Sequence, residues 1–240
     1  MTAKPFTRKA VLFDAVGTLF SLRASVGEIY FERARRFGFR PSSATAARDL
    51  TASFGGAFKR QGPLAFPYRG ERLLEAERAW WREVVAQTFA PVGEVPRMEE
   101  LFEDLYNFFR TSAPWRLEED AVEVLTEIRR RGCGIAVVTN YDSRIHEVLA
   151  GLGIRRLIDE VVVSSASGAA KPDRRIFLTA CSLLQTPPTR STHVGDNYDE
   201  DYVGARAAGL SAVLFDPEGR RPELKPMRVS KLAELPDILL

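Results

Sequence analysis

The sequence predicts an α/β protein: a doubly wound parallel sheet of Rossmann-like type, carrying a helical cap domain inserted after the first strand. Short apolar runs alternate with helix-period stripes through the second half of the chain. A solitary strand signal, Ala10-Val11-Leu12-Phe13, opens the first half and needs that sheet to bury it. Between the two lie about ninety residues of helical periodicity with no clear strand.

The insert reads as four amphipathic stripes. Val26, Ile29, Tyr30, Arg33, Ala34 and Phe37 form the first, ended by Gly38. Leu50, Phe54 and Phe58 form the second; Ala79, Trp80, Trp81, Val84 and Val85 the third; Leu101, Phe102, Leu105, Tyr106, Phe108 and Phe109 the fourth. So many rings imply a helical core packed with aromatics rather than a cofactor box. After Trp115 come a helix closed by Gly132, the strand run Ile135–Val138, a helix ended by Gly153, the strand Val161–Val163, and a helix stopped by Pro187-Pro188. The strand Thr192–Val194, a short helix from Val203 to Ala208 stopped by Gly209, and the strand Ala212–Phe215 complete the alternation. Short links between unlike elements make the strands parallel, with helices on both faces. The tail beyond Pro217, with Pro222, Pro226 and Pro236, reads as a connection and a final helix. The domain boundaries follow: residues 1–20 and 112–240 form the core and 21–111 the cap, with hinges near Leu22–Ser25 and Thr111–Pro114.

Composition narrows the function. The chain has 240 residues, 45% hydrophobic and 28% charged, and a net charge of +2 from 34 basic and 32 acidic side chains. That balance lacks the clustered excess of a nucleic-acid or membrane binder. Arg129-Arg130-Arg131 sits just before Gly132 and suits a helix C-terminus. No stretch has the length and apolarity of a membrane span, and Met1 to Pro5 shows no signal-peptide pattern. The two cysteines, Cys133 and Cys181, fall at a strand start and on a helix's apolar face, as reduced core thiols do. A cytoplasmic protein acting on a small molecule, monomeric or weakly dimeric, is expected.

The chemistry gathers just past the strand ends, where doubly wound sheets bind ligands. Asp14 follows the first strand, with Thr18 on the turn; Thr139 and Asn140 follow the second; Lys171, before Pro172-Asp173, comes after the third; Gly195, Asp196, Asn197 and then Asp201 follow the fourth. A carboxylate, a hydroxyl, a lysine and an acidic pair on one edge suit phosphoryl transfer. Asp14 can attack phosphorus as a nucleophile. Thr139 can hold phosphate oxygens, Lys171 can neutralise charge, and Asp196 with Asp201 can hold Mg²⁺. Substrate contacts are expected from Thr18, Asn140 and the cap segment Lys59 to Arg72, where Lys59 and Arg69 accompany Phe66 and Tyr68. His193, inside a strand, and His146, on a helix, read as structural, and Asp173 as a helix cap.

The segments Val11–Leu19, Val137-Val138-Thr139-Asn140, Lys171-Pro172-Asp173 and Val194-Gly195-Asp196-Asn197 through Ala205 together resemble the motifs of the haloacid dehalogenase (HAD) superfamily of hydrolases. The cap stretch Ala79–Val85 is similar to that of one of its subgroups. The resemblance implies Asp14 as nucleophile, Thr139 and Lys171 as its phosphate partners, and Mg²⁺ held by Asp14, Asp196 and the carbonyl oxygen of Val16. It also exposes a departure. Phosphatases of the superfamily usually carry an acid/base Asp where this chain has Val16. General acid–base help is worth about 10²–10⁴ in rate. An Mg²⁺-dependent phosphohydrolase acting on a small phosphorylated metabolite is the leading expectation. The alternatives are a binding or regulatory protein of low activity, a 2-haloacid dehalogenase, or a phosphonate hydrolase whose Schiff-base lysine would have to be Lys59.

Overall fold

The computed structural model describes residues 9–224 and 227–239. Residues 1–8 and Pro226 lie outside the described residues. Strand β1 (Ala10–Phe13) runs into a turn and then β2 (Phe20–Leu22). The insert follows: α1 (Val26–Ala34), β3 (Arg40–Pro41), α2 (Ala46–Gln61), α3 (Glu71–Phe89), β4 (Gly93–Glu94) and α4 (Met98–Phe108). The chain returns through β5 (Trp115–Leu117), α5 (Ala121–Arg130), β6 (Gly134–Thr139), α6 (Ile145–Gly151), β7 (Glu160–Val163), α7 (Ser164–Ser167) and α8 (Arg174–Leu183). It closes with β8 (Ser191–Gly195), a π-helical turn (Tyr198–Val203) continuing into α9 (Gly204–Ala207), β9 (Ser211–Phe215), β10 (Arg228–Val229) and α10 (Leu235–Leu239).

The main sheet has six strands in the order β10-β9-β8-β1-β6-β7, all parallel. β1 lies between β6 and β8, with Phe13 level with Val137 on one side and Val194 on the other. The first crossovers build toward β7, and the chain then returns to the far side of β1. The reversal point of the winding therefore falls at β1, where such sheets open a crevice. The continuous apolar run of β1 is explained by burial on both faces. Val11 and Phe13 join the layer under α5, α6 and α10. Ala10 and Leu12 face the opposite layer with α8 and α9.

The helix ends follow local chemistry. Ser25 and Glu28 form a reciprocal capping box at α1. Gly38 takes a left-handed conformation (φ 80°) after it. Asp173 caps α8 by accepting from the Arg175 amide, and Arg129 and Arg130 fill the last turn of α5. Cys133 and Cys181 are both buried and form no disulfide among the described residues.

Between β1 and β5 the described insert contains α1–α4 and a short β3–β4 pairing. Its core is aromatic: Tyr30 stacks on Phe89 at 5.8 Å, and Phe39 meets Phe89 edge-on at 5.2 Å. Antiparallel pairing of β2 with β5, Phe20 opposite Leu117 and Leu22 opposite Trp115, ties the two crossings between cap and core into one ribbon.

The tail differs from the sequence expectation. It supplies the edge strand β10 as well as a helix, because Arg228 and Val229 continue the ladder along β9. The helix expected from Val203 begins earlier, at Tyr198, as a wide π turn.

Candidate active site

The shared register of β1, β6 and β8 delivers their carboxyl ends to one level. Asp14 follows β1 directly, and its amide donates to Val194 O at 2.8 Å. Thr139 closes β6, and Asp196 follows β8. Lys171, from the loop ahead of α8, reaches under this edge. Its Nζ donates to Asp14 Oδ1 at 2.5 Å and to Asp201 Oδ1 at 2.6 Å. All three side chains are buried. Burial pushes the Asp14 carboxyl up to about 7, against the pull of Lys171 and with the help of Asp201 and Asp196. Burial alone would lower Lys171, yet its two carboxylate partners hold it well above its ordinary value, so it stays charged.

Asp201 sits deep in this network. His193 Nε2 lies 2.8 Å from Asp201 Oδ1, and the Asn197 amide donates to Asp201 Oδ2 at 3.0 Å. Burial opposes ionisation of Asp201, but Lys171 and His193 outweigh it and hold the carboxyl below its ordinary range. Burial depresses His193, so the ring is neutral and donates from Nε2. Asp201 therefore positions the lysine, beside its expected place among the metal carboxylates. Gly195 makes this possible: a Cβ there would lie 2.2 Å from Asp201 Cγ.

Carboxylate oxygens of Asp14, Asp196 and Asp201 all fall within 4.8 Å of one another. Asp196 is open to solvent on one side, and partial desolvation by the surrounding protein together with Asp201 raises it above its ordinary value. Such crowded hard oxygens suit a divalent cation of the magnesium type. With Asp201 engaged by three donors, Asp14 and Asp196 are the carboxylates left open to it. Gly17 (φ 96°) lets the first turn pass under Asp196, since a Cβ would lie 2.6 Å from Asp196 Oδ2.

Other expected contacts are redistributed. Thr18 is fully buried and donates to Asp196 Oδ1 at 3.3 Å, so it orients a carboxylate and does not face the cavity. Asn140 lines the cavity, but its amide is occupied: Oδ1 accepts from the Lys171 amide at 2.7 Å, and Nδ2 donates to Lys171 O and Glu200 Oε2. It braces the lysine loop. Lys59 lies in the last turn of α2, and Arg69 is exposed and donates to Tyr68 O; neither lines the cavity. On α2 it is Phe54 and Phe58 that line the cavity, and Lys59, the next residue along, does not. Val16 is half-buried on the cavity wall.

Above the reacting edge lies a cavity of about 330 Å³. Rings expected only as core, among them Tyr30, Phe54, Trp81 and Phe102, line it as well. The cation in its cap-facing wall is Arg144, just after β6. Arg144 forks onto Asp142, with Nη2 to Oδ2 at 2.6 Å, donates from Nη1 to Tyr106 O at 3.0 Å, and lies 4.0 Å from the Tyr106 ring centre. Trp81 Nε1 donates to the same Asp142 at 2.5 Å. Lower along α3, Glu77 accepts from the Ser143 amide, Ser143 Oγ and Ser165 Oγ. These residues fasten the cap to the core. Asp142 and Arg144 carried a readable signal, since they closely follow Thr139-Asn140 at the sheet's carboxyl edge; Glu77 carried none.

A nucleophile-type carboxylate, a lysine partner and an acidic cluster on this edge of a capped parallel sheet define a class of protein. The haloacid dehalogenase-like hydrolase family description matches residues 8–209, and the chain belongs to that family. Among individual proteins, it is 37% identical over 220 residues to haloacid dehalogenase-like hydrolase domain-containing protein 3 of Bos taurus, covering 90% of this chain and 86% of that one. It is 38% identical over 156 residues to phosphoserine phosphatase of Thermus thermophilus, covering 62% of this chain and 61% of that one. The structure of L-2-haloacid dehalogenase from Xanthobacter autotrophicus superposes with a TM-score of 0.71 at 18% identity, covering 97% of this chain and 98% of that one. At that identity the likeness is one of fold, so the reaction has to be argued from the site.

Proposed function

We propose that this hydrolase is a Mg²⁺-dependent phosphohydrolase that works through an aspartyl-phosphate on Asp14 and releases phosphate from a small phosphorylated molecule. The observation that carries the reading is the pairing of Asp14 with Lys171 at 2.5 Å beside the open carboxylate of Asp196. The likeness to a phosphoserine phosphatase over part of the chain supports it.

Lys171 holds Asp14 Oδ1, which leaves Oδ2 to attack phosphorus in line with the departing oxygen. Lys171 also offsets charge on the transferring group. The Thr139 hydroxyl has no hydrogen-bond partner among the described residues and lines the cavity, so it is free to hold a phosphate oxygen. Asp14 and Asp196, with the Val16 carbonyl, would hold the magnesium ion, and Thr18 keeps Asp196 aimed. The ion would offset repulsion between Asp14 and an anionic substrate. The departing oxygen keeps the electron pair of its broken bond and takes a proton from solvent; water then displaces Asp14 from phosphorus and gives up a proton to solvent, phosphate leaves, and the carboxylate is restored.

The phosphonate route loses support because Lys59 lies off the cavity. The dehalogenase route leaves Asp196 and its Thr18 brace without a task.

The test is a panel of phosphomonoesters, phosphonoacetaldehyde and 2-haloacids, each assayed with and without Mg²⁺. Phosphate release that requires Mg²⁺ and falls at least a thousandfold in Asp14→Asn is expected. Undiminished turnover by that variant would refute the nucleophile assignment.

A further inference from the structure

The cavity has a charged floor and an uncharged wall. The floor is Asp14, Thr139, Lys171 and Asp196. Opposite them stand Tyr30, Phe54, Trp81, Phe102, Phe109 and Trp115. Arg144 is the exception in composition but not in charge. Asp142 takes its Nε and Nη2, and the Tyr106 carbonyl takes Nη1. A leaving group carrying its own carboxylate would shed water there and meet no free counter-charge, which disfavours its binding. The Tyr30 and Tyr106 hydroxyls, which make no hydrogen bond among the described residues, offer neutral donors instead.

The wall is also poor in acids for the departing oxygen, since burial holds the Tyr30 and Tyr106 hydroxyls above their ordinary value and they donate hydrogen bonds without giving up the proton. Val16 has none to give. Glu200 borders the cavity and burial raises its carboxyl, but Oε2 accepts from Asn140 Nδ2 at 2.9 Å, which holds the group against the lysine loop on the charged side. A leaving oxygen that can depart as an anion meets this condition, and an aryl oxide does so far more readily than an alkoxide. Size agrees: an apolar cavity of about 150 Å³ takes one benzene ring, so 330 Å³ takes one or two fused rings above the phosphate.

From these features we infer that the substrate is the phosphomonoester of an uncharged phenol-type alcohol with one or two rings. The inference rests on the phosphohydrolase reading and narrows it. Asp14 forms its oxygen–phosphorus bond while the phosphorus–aryl oxygen bond breaks, and the electron pair stays on the aryl oxygen, which takes a proton from solvent. A water oxygen then replaces Asp14 on phosphorus and its proton passes to solvent, giving phenol and phosphate.

Aryl phosphates are reactive by nature, so turnover alone is a weak test, and binding is measured beside it. With the full chain and Mg²⁺, 2-naphthylmethylphosphonate and 3-phosphonopropionate are titrated calorimetrically. Turnover of 2-naphthyl phosphate, hexyl phosphate and phosphoserine is followed in parallel. The naphthyl phosphonate is expected to bind at least tenfold more tightly than the carboxylate-bearing one, and 2-naphthyl phosphate to have the highest kcat/KM. Val26→Lys, which adds a cation to the wall, is expected to narrow the binding gap. Equal or tighter binding of 3-phosphonopropionate, or faster turnover of phosphoserine, would overturn the aryl assignment while leaving the phosphohydrolase intact. Failure to turn over any phosphoester would overturn both.

Discussion

Replacing Glu77 tests how the cap is held. This buried carboxylate on α3 accepts from the Ser143 amide at 3.1 Å, Ser143 Oγ at 2.8 Å and Ser165 Oγ at 2.6 Å, while its Oε2 has no partner among the described residues. Hydrogen bonds to a charged acceptor are worth about 1.5–3 kcal/mol each, and three sharing one oxygen are not additive. Burial takes part of that back, since it raises the Glu77 carboxyl above its ordinary 4.5 despite the serine donors. A net loss of about 3 kcal/mol is expected for Glu77→Ala, because removing the acceptor strands a buried Ser165 hydroxyl and a Ser143 amide. At roughly 2–4 °C per kcal/mol for a chain of this size, the melting temperature should fall by roughly 6–12 °C. Glu77→Gln keeps an acceptor and puts an amide where the orphan oxygen was, so its loss at neutral pH should stay within about 1 kcal/mol. The pH dependence has a definite sign. A raised folded-state pKa means the folded protein holds more protons than the unfolded chain between the two pKa values. The stabilisation linked to that proton is present below pH 4.5 and lost as pH rises through the folded value. The glutamine variant lacks this loss, so it should gain on the parent between pH 4 and neutrality. Urea unfolding followed by tryptophan fluorescence reads this directly, because Trp80 and Trp81 share α3 with Glu77. An alanine variant within about 0.5 kcal/mol of the parent, or a glutamine difference that does not move with pH, would refute the latch.

Three further substitutions probe the reacting edge. Lys171→Met leaves Asp14 and Asp201 buried without their cation; a destabilisation of about 3–5 kcal/mol, measured by urea unfolding, should accompany loss of phosphate release. Val16→Asp adds a carboxyl to the cavity wall, and kcat for an alkyl phosphate should rise by about tenfold or more; a folded variant with no gain would show that leaving-group protonation is not limiting. Gly195→Ala would drive a Cβ into Asp201, displacing it from Lys171, and kcat should fall by about a hundredfold with the circular dichroism spectrum retained.

The strands were legible because parallel strands buried on both faces read as apolar runs, as Ala10–Phe13 and the Ile135–Val138 stretch of β6 do. The convergence of Asp14, Thr139, Lys171 and Asp196 on one sheet edge was legible because strand ends can be counted along a chain. Edge strand β10 was not, since two residues carry no periodicity. Lys59 and Arg69 drew attention as cations near aromatic residues, yet helix α2 and the loop after it turn them away from the cavity. Thr18 and Asn140 have the right chemistry for substrate but spend their hydrogen bonds on Asp196 and on the lysine loop.

Local patterning in the chain alone thus determined the layered core, the helical insert and the residues that end each strand. Only the tertiary structure decided which carboxylate serves the lysine, which cation the wall neutralises, and how the cap is fastened. Those outcomes depend on groups far apart in sequence, such as Glu77 with Ser165 and Lys171 with Asp14. Hydrogen bonds and charge pairs of this kind have no period, and their partners are chosen only when separate elements pack to within about 3 Å of one another.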